Sequence, residues 1–194
     1  PHQNHFGGFF DLLEEFSIVR VWTNGQKEGE EDYAVLLERF DAQHIPVGFL
    51  KEGFFLKQES HVQIKVLNPS FENASLNDQS VVLWLIYGQT AFLLTGDIEV
   101  KRQDEIFSKY PDVLTSQGIQ IPHHGRSLSV HFRHVPPETS LIISTGPNVW
   151  GMPDDEVLRG FSGKVFRTDQ QGTIVLESDG RRVRVVRGGT EKDL

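Results

Sequence analysis

The most regular feature of the sequence is a pair of apolar runs in the middle of the chain. They span residues 81–87 and 90–94 and flank a two-residue turn at 88–89. This pattern predicts a β-hairpin, and because residues facing both ways are apolar, each face of the sheet must be covered. The second run stops at a Thr-Gly-Asp sequence, which places the carboxylate of Asp97 at the end of a buried strand.

Helical and strand patterns alternate along the rest of the chain. Apolar spacing predicts helices at residues 9–16, 33–40 and 153–161, and a further helix after Asp97 that stops at Pro111. Short apolar runs between turn residues predict strands at residues 18–22, 45–49, 54–56, 62–67, 141–144, 164–168, 172–178 and 182–186. Because the order contains no internal repeat, the sequence predicts one layered α/β domain over residues 1–194.

The composition limits which metal ligands and nucleophiles the chain can supply. With 194 residues the chain can bury a sizeable core, and it has no apolar run that could span a bilayer, so we expect a soluble piece. It contains no cysteine, which excludes disulfides, cysteine-mediated partners, zinc–thiolate sites and a cysteine nucleophile. Histidine, aspartate and glutamate remain as the strong metal ligands.

Charge is distributed unevenly along the chain. The net charge of −8 opposes long-range attraction to nucleic acid. Acidic side chains dominate residues 11–41, whereas basic ones dominate residues 159–187. A bound polyanion is therefore expected on the later face. The basic run at residues 181–187 is most simply a surface strand with a basic outer face, and its alternative is a dedicated DNA groove.

Histidines and an aspartate occur beside three predicted elements. His2 and His5 precede the first helix, Asp97 ends the hairpin, and His123 and His124 end another strand. Imidazole nitrogens and a carboxylate suit zinc, manganese or iron, and a bridging carboxylate can hold two ions. Each signal alone has a simpler interpretation, since Asp97 can cap the next helix and one histidine of the pair can be solvated. Together they predict a metal site.

Four short motifs carry this pattern. They are His2-x-x-His5-x-Gly7-Gly8, Asn77-Asp78-Gln79-Ser80, Phe92-Leu-Leu-Thr-Gly-Asp97 and Ile121-Pro-His-His-Gly125. The motifs resemble the metallo-β-lactamase superfamily. Together with Arg167-Thr-Asp169 and Gly172 they resemble its ComEC-type branch, found in the DNA-uptake channel proteins of natural transformation. The resemblance covers nearly the whole chain.

This resemblance implies a fold, a reaction and partners. The fold would be an αββα sandwich that lacks its N-terminal strands, within a bacterial membrane protein and on its extracytoplasmic side. The reaction would be metal-dependent hydrolysis of DNA by a nuclease or phosphodiesterase during competence, with one or two zinc or manganese ions. Single-stranded DNA and a membrane channel domain of the same full-length protein would be its partners.

The resemblance also implies site residues, position by position. The implied metal ligands are His2, Asn4, His5, Asp97, His123 and His124, with the choice between the paired histidines left open. The implied catalytic residues are Asp97 and His124. The implied substrate-binding residues are Ser80, Arg126, Ser127 and Asn148.

Three positions depart from the pattern of the family. Asn4 stands where a His-x-His-x-Asp-His motif has its aspartate, and a neutral amide is a weaker ligand for a second metal ion. Ser80 stands where many members have a further histidine. Met152 replaces the histidine of a Tyr-Gly-His-Pro sequence, and a thioether transfers no protons. Asn4 and Met152 favour an alternative, a degenerate module that binds nucleic acid or a protein partner without turnover. A hydrolase of another phosphodiester or of a lactone is a third interpretation.

Two further pairs of residues each allow two alternative roles. Ser127 and Ser129, which follow the histidine pair, either touch phosphate oxygens or cap a helix. Thr168 and Asp169 either orient a ligand histidine or form a turn. Only the three-dimensional arrangement can decide between these roles.

Overall fold

The computed structural model describes residues 2–26, 31–59, 61–69, 74–161 and 164–187. The described residues form a mixed α/β fold, so the predicted α/β class is confirmed. The chain divides into an N-terminal unit, Pro1–Lys51, and a C-terminal unit, Glu52–Leu194. The single domain over residues 1–194 stays a prediction. Lys27, Glu28 and Glu30 of the predicted acidic segment lie outside the described residues.

The described part of the N-terminal unit combines helices with a two-stranded parallel sheet. Its elements are α1 (Gln3–Phe6), α2 (Phe9–Glu15), β1 (Val21–Thr23), α3 (Glu31–Ala42) and β2 (Val47–Phe49). β1 pairs with β2, and the predicted helices at 9–16 and 33–40 are confirmed. The rings of Phe6 and Tyr33 pack with centroids 5.3 Å apart, which fixes α1 against α3.

A seven-stranded sheet organises the described part of the C-terminal unit. Its strands are β3 (Phe55–Gln58), β4 (Val62–Asn68), β5 (Val82–Tyr87), β6 (Thr90–Leu94), β7 (Gly118–Gln120), β8 (Ser140–Ile143) and β9 (Lys164–Arg167). Neighbours in the chain are neighbours in the sheet. The strands β3 to β6 pair antiparallel and β6 to β9 pair parallel. The predicted central hairpin is confirmed as β5 and β6.

Helices and a second hairpin complete this unit. They are α4 (Val100–Lys109), α5 (Asp155–Arg159), α6 (Thr168–Gln171) and the antiparallel strands β10 (Ile174–Ser178) and β11 (Val183–Arg187). The helix predicted after Asp97 is confirmed as α4, which ends just before Pro111. The helix predicted at 153–161 is shorter, because the side chain of Asp154 accepts a hydrogen bond from Glu156 N–H and so sets its start. The strand predicted at 164–168 ends at Arg167, because Thr168 already opens α6.

The parallel strands align one row of core residues across the sheet. Leu93 of β6 lies opposite Ile119 of β7, which lies opposite Leu141 of β8. These side chains are buried, together with Ile106 and Phe107 of α4. Parallel strands end at the same edge of a sheet, so the segments that follow β6, β7 and β8 all leave the core at one edge. In the described part of the chain, no helix is both long and apolar enough to cross a membrane.

Candidate metal centre

Asp97 follows β6 through a turn that is tied to the neighbouring strand. The Thr95 hydroxyl donates to the Gln120 carbonyl at 2.9 Å, and the Thr95 N–H donates to the Gln120 side chain at 3.2 Å. Gly96 has a φ of +57°, and a Cβ there would lie 2.8 Å from the Cβ of Ser80, so the turn requires glycine. Asp97 is 5% exposed. Glu99, not Asp97, occupies the N-cap of α4, so the helix-cap alternative for Asp97 is wrong.

The Asn77–Ser80 motif, which precedes β5, holds this turn in place by hydrogen bonds. The Ser80 hydroxyl accepts a hydrogen bond from the Asp97 N–H at 3.0 Å. The Asp78 carboxylate accepts one from the Glu99 N–H at 2.7 Å. Asn68, at the end of β4, donates to the carbonyls of Asp78 and Ser80 at 2.8 and 2.6 Å. The motif therefore positions the Asp97 backbone, and the substrate contact assigned to Ser80 stays a prediction.

The two adjacent histidines lie in a strained turn after β7. His123 and His124 both have positive φ, at 48° and 56°, a region that costs a non-glycine residue about 1–2 kcal/mol. Gly125 follows with a φ of +82°, and a Cβ on it would lie 2.6 Å from the Cβ of Pro153. Backbone strain of this kind persists only where the surrounding contacts impose it, and it is typical of functional sites.

The imidazole of His124 is oriented by a backbone carbonyl. Its Nδ1 lies 2.7 Å from the carbonyl oxygen of Ser144, the residue after β8. A carbonyl can only accept, so Nδ1 carries a proton and the ring turns Nε2 away from Ser144. Nε2 lies 3.7 Å from the Oδ2 atom of Asp97. This arrangement is the usual one for a metal-binding histidine, whose other nitrogen donates to a fixed acceptor.

This donor set fits a divalent metal ion. An imidazole nitrogen and a carboxylate oxygen that share one zinc ion each lie about 2.0–2.2 Å from it, so the two atoms are about 3–4 Å apart. The separation of 3.7 Å between His124 Nε2 and Asp97 Oδ2 lies in that range. It is too long for a normal hydrogen bond between the two groups.

His123 is the more buried member of the pair. Burial lowers the pKa of the His123 imidazole, an effect that the Asp97 carboxylate opposes and the Arg126 guanidinium reinforces. The ring is therefore neutral at pH 7. Its centroid lies 6.2 Å from that of His124. Of the two histidines, His124 is the one whose Nε2 lies 3.7 Å from Asp97 Oδ2, and which of the two would bind a metal ion stays a prediction.

One buried amide links the segment after Asp97 to the segment after the histidine pair. Gln103 of α4 is fully buried and donates from Nε2 to the carbonyls of Ile98, at 2.9 Å, and Ser127, at 3.2 Å. Its Oε1 accepts a hydrogen bond from the Ser129 N–H at 2.8 Å. No motif in the sequence singles out this residue. The available signal was a polar residue on the inner face of α4, three positions before Ile106.

The remaining predicted residues of the C-terminal unit lie around the histidine turn. Arg126 is exposed and Ser127 is half-buried. Ser129 caps the short 3₁₀ helix Val130–His134 by accepting a hydrogen bond from the His131 N–H, so the capping interpretation is confirmed for this serine. The substrate contacts of Arg126 and Ser127 stay predictions.

Asn148 organises the loop after β8. Its Oδ1 accepts hydrogen bonds from the N–H groups of Trp150 and Met152, at 3.2 and 3.0 Å. Its Nδ2 donates to the Met152 carbonyl at 2.7 Å and to the Gly146 carbonyl at 3.0 Å. The amide is thus engaged within its own loop, and its predicted contact with substrate stays a prediction.

Thr168 and Asp169 have different partners. The Thr168 hydroxyl donates to the Thr145 carbonyl at 2.6 Å and accepts from the Thr145 N–H at 2.8 Å. It therefore fixes the residue next to Ser144, whose carbonyl orients His124. Asp169 instead binds the guanidinium of Arg167, at 3.0 and 2.6 Å.

His2, Asn4 and His5 belong to the N-terminal unit. His2 precedes α1, and Asn4 and His5 lie on it with exposed side chains. The His5 N–H donates to the His2 carbonyl at 2.9 Å, which starts the helix. That these residues share an ion with Asp97 and His124 stays a prediction.

Comparison with known proteins places this geometry in context. No family model matches the chain. Over 179 residues, 89% of its length, the chain is 28% identical to the ComE operon protein 3 of Bacillus subtilis (strain 168) and spans 23% of it. It is 32% identical over 120 residues, 58% of its length, to the competence protein ComA of Neisseria gonorrhoeae and spans 17% of it. The chain is similar to competence proteins.

A third relative is an uncharacterized protein, YcaI, of Escherichia coli (strain K12). It is 27% identical over 119 residues, which are 57% of this chain and 16% of that protein. These similarities confirm the ComEC-type resemblance, whereas the wider metallo-β-lactamase superfamily stays a prediction. The chain spans less than a quarter of the length of these relatives, so the activities of the whole proteins are a matter for proposal.

Replacing Gln103 by leucine should loosen the loop after the histidine pair. The change keeps the volume but leaves the Ser129 N–H and two carbonyls without their buried partner, at a cost of about 1–3 kcal/mol for a buried polar group. We expect hydrogen exchange at the Ser129 amide to become about 5- to 150-fold faster by NMR. Gln58→Leu, on the exposed surface of β3, is the control and should leave this rate unchanged. Equal rates in Gln103→Leu and the unmodified chain would contradict the assigned role.

Proposed function

We propose that this chain is a metal-dependent hydrolase domain, a nuclease or phosphodiesterase that cleaves DNA during its uptake. The observation that carries the proposal is an imidazole nitrogen that faces a buried carboxylate. His124 Nε2 lies 3.7 Å from Asp97 Oδ2 while its Nδ1 proton is held by Ser144. The similarity to a competence protein supports DNA as the substrate.

The proposed ligand set extends beyond these two residues. Asp97 and His124 would hold the ion, with His123 beside them and with His2, Asn4 and His5 completing one or two sites for zinc or manganese. A divalent ion in such a site polarises a phosphoryl oxygen and lowers the pKa of a bound water. The buried Asp97 carboxylate supplies the negative charge that attracts the cation.

Residues beside the histidine turn would bind the substrate. The exposed Arg126 carries a guanidinium suited to bidentate contact with a phosphate, and Ser127 offers a hydroxyl. Ser80 and Asn148, whose described hydrogen bonds hold the turn of Asp97 and the loop after β8, would act mainly by keeping those segments in position.

The partners and the location follow from the same likeness. We propose single-stranded DNA as the bound polymer and a membrane channel domain of the same full-length protein as the neighbour, on the extracytoplasmic side. ComE operon protein 3 is more than four times as long as the matched part, which leaves room for such a domain in that relative.

A second candidate function is binding without turnover. Met152 occupies the position of a proton-transferring histidine, and Asn148 fixes its backbone in the loop beside the histidine turn. Asn4, in place of an aspartate, weakens the second metal site. A degenerate module of this kind would bind nucleic acid or a protein partner.

Metal content and cleavage separate these two functions. We expect the purified chain to contain one or two divalent ions by elemental analysis and to cleave single-stranded DNA with manganese or zinc but not with a chelator. His124→Gln and Asp97→Asn should each lower metal affinity by more than about 10-fold and abolish cleavage. His134→Gln alters an exposed histidine and serves as the control.

The opposite result is equally clear. A chain that binds no ion and leaves DNA intact supports the binding module. Metal content that is unchanged in His124→Gln, with the fold intact by circular dichroism, would remove His124 from the site.

Restoring the missing carboxylate should strengthen the metal site. Asn4→Asp adds a charged oxygen ligand at the motif position, so we expect higher affinity for a second manganese ion by calorimetry. Gln3→Glu adds the same charge one residue earlier and is the matched control. If both variants bind manganese like the unmodified chain, Asn4 does not lie at the second metal site.

A further inference from the structure

Two adjoining cavities form a groove beside the histidine turn. The first, of about 350 Å³, is lined by Trp150, Met152, Arg126, Ser127 and Asp154. The second, of about 380 Å³, shares the last three of these residues and continues to Arg133 and Phe161. We call the combined surface the Trp150 groove. It lies wholly within the C-terminal unit.

Trp150 is the unusual residue of this groove. Its side chain is 74% exposed, and the neighbouring Val149 is 93% exposed. A large aromatic ring in water forgoes the stabilisation that burial would provide, and exposed aromatic residues are common at binding sites. The loop is nevertheless well defined, because Asn148 accepts hydrogen bonds from the N–H groups of Trp150 and Met152. The ring is therefore exposed to solvent on a backbone that hydrogen bonds hold in place.

Positive charge lies beside this ring. Arg126 is exposed, lines both cavities, and forms no ion pair with a carboxylate of the described residues. Arg133 lies farther along the groove. The acidic side chains there are Asp154 and Glu156, and Asp154 already accepts the Glu156 N–H at 2.7 Å as the cap of α5.

An exposed indole beside an exposed guanidinium matches the chemistry of a single-stranded polynucleotide. Unpaired bases stack on aromatic side chains while the backbone phosphates contact arginine. Bases of a duplex are stacked on one another and cannot reach such a ring. With a net charge of −8 the chain attracts no polyanion at long range, so affinity must come from local contacts.

We propose that the Trp150 groove binds single-stranded DNA, with one base stacked on the Trp150 indole and a neighbouring phosphate on Arg126. The inference rests on the proposed action on DNA, but binding in this groove requires no metal ion. It names a site for the strand beside the histidine turn, where Arg126, two residues after His124, lines the groove together with Trp150.

Binding measured in the presence of a chelator tests the site apart from hydrolysis. We expect Trp150→Ala to raise the Kd for a fluorescent single-stranded oligonucleotide by about 5- to 150-fold, and Trp150→Phe to keep most of the affinity. Val149→Ala is the matched control, since this neighbour is even more exposed but has no ring. A strand that carries abasic positions should bind the unmodified chain and Trp150→Ala alike, because it offers no base to stack.

Salt dependence tests the arginine. Arg126→Gln should reduce the slope of log K against log salt concentration by about 0.7, the value for one phosphate contact on a single strand. Arg181→Gln, on the exposed turn between β10 and β11, should leave the slope unchanged. An equal reduction of the slope in both variants would indicate diffuse electrostatic attraction and would contradict a phosphate contact by Arg126.

Two results with Trp150→Ala would contradict DNA binding in the Trp150 groove. One is a Kd in Trp150→Ala equal to that of the unmodified chain, and the other is an equal loss of affinity for normal and abasic strands. Neither depends on cleavage. A chain that binds DNA through Trp150 but hydrolyses nothing would refute the proposed hydrolase and leave the groove in place.

Discussion

The parallel register of β6 to β9 decides where the candidate site of the C-terminal unit can lie. Leu93 pairs with Ile119 across the sheet, and Asp97 and His123 each follow their strand partner by four residues. The two segments therefore leave the sheet at the same edge, where the His123 N–H donates to the Gly96 carbonyl at 3.1 Å. A slip of one residue would move one segment by about 3.3 Å and turn its side chains to the other face. Packing of the apolar row under α4 opposes that slip.

Neutral hydrogen bonds hold the site in place at this edge. Ser80 supports the Asp97 backbone, the Ser144 carbonyl orients His124, and Gln103 ties the two segments together. Neutral partners fix position without cancelling the charge of the buried Asp97 carboxylate, and the proposed cation would balance that charge. The strained backbone of the histidine turn fits the same view, because its conformational cost is offset by the contacts around it.

The sequence predicts the helices and strands of this arrangement well and the hydrogen bonds between distant segments poorly. The central hairpin and α4 follow from apolar periodicity and from Pro111, which are local signals. The orientation of the His124 ring depends on a carbonyl 20 residues away, and the role of Gln103 depends on loops 24 and 26 residues away. Such contacts arise from tertiary packing, and a single sequence carries no direct signal for them. The convergence of His2 and His5 on the same ion also stays a prediction.

The exposed Trp150 illustrates the same limit. A tryptophan in a sequence is most simply interpreted as part of the core or its rim, and residue type alone does not reveal exposure. The structure leaves the ring in solvent on a loop held by Asn148, beside an exposed Arg126. A metal site and a stacking platform on neighbouring loops would place both parts of a nucleic acid, its phosphates and its bases, within one surface.

Paramagnetic broadening by manganese is the most direct test of the central claim that Asp97 and His124 hold a metal ion. In a chain labelled at histidine, NMR would follow all eight imidazole signals as substoichiometric Mn²⁺ is added. We expect the His124 signal to broaden first, while those of His44, His61 and His134 stay sharp, and we expect Asp97→Asn to suppress the broadening. A His124 signal that stays sharp, or equal broadening of all eight, would contradict a metal centre at this edge of the sheet.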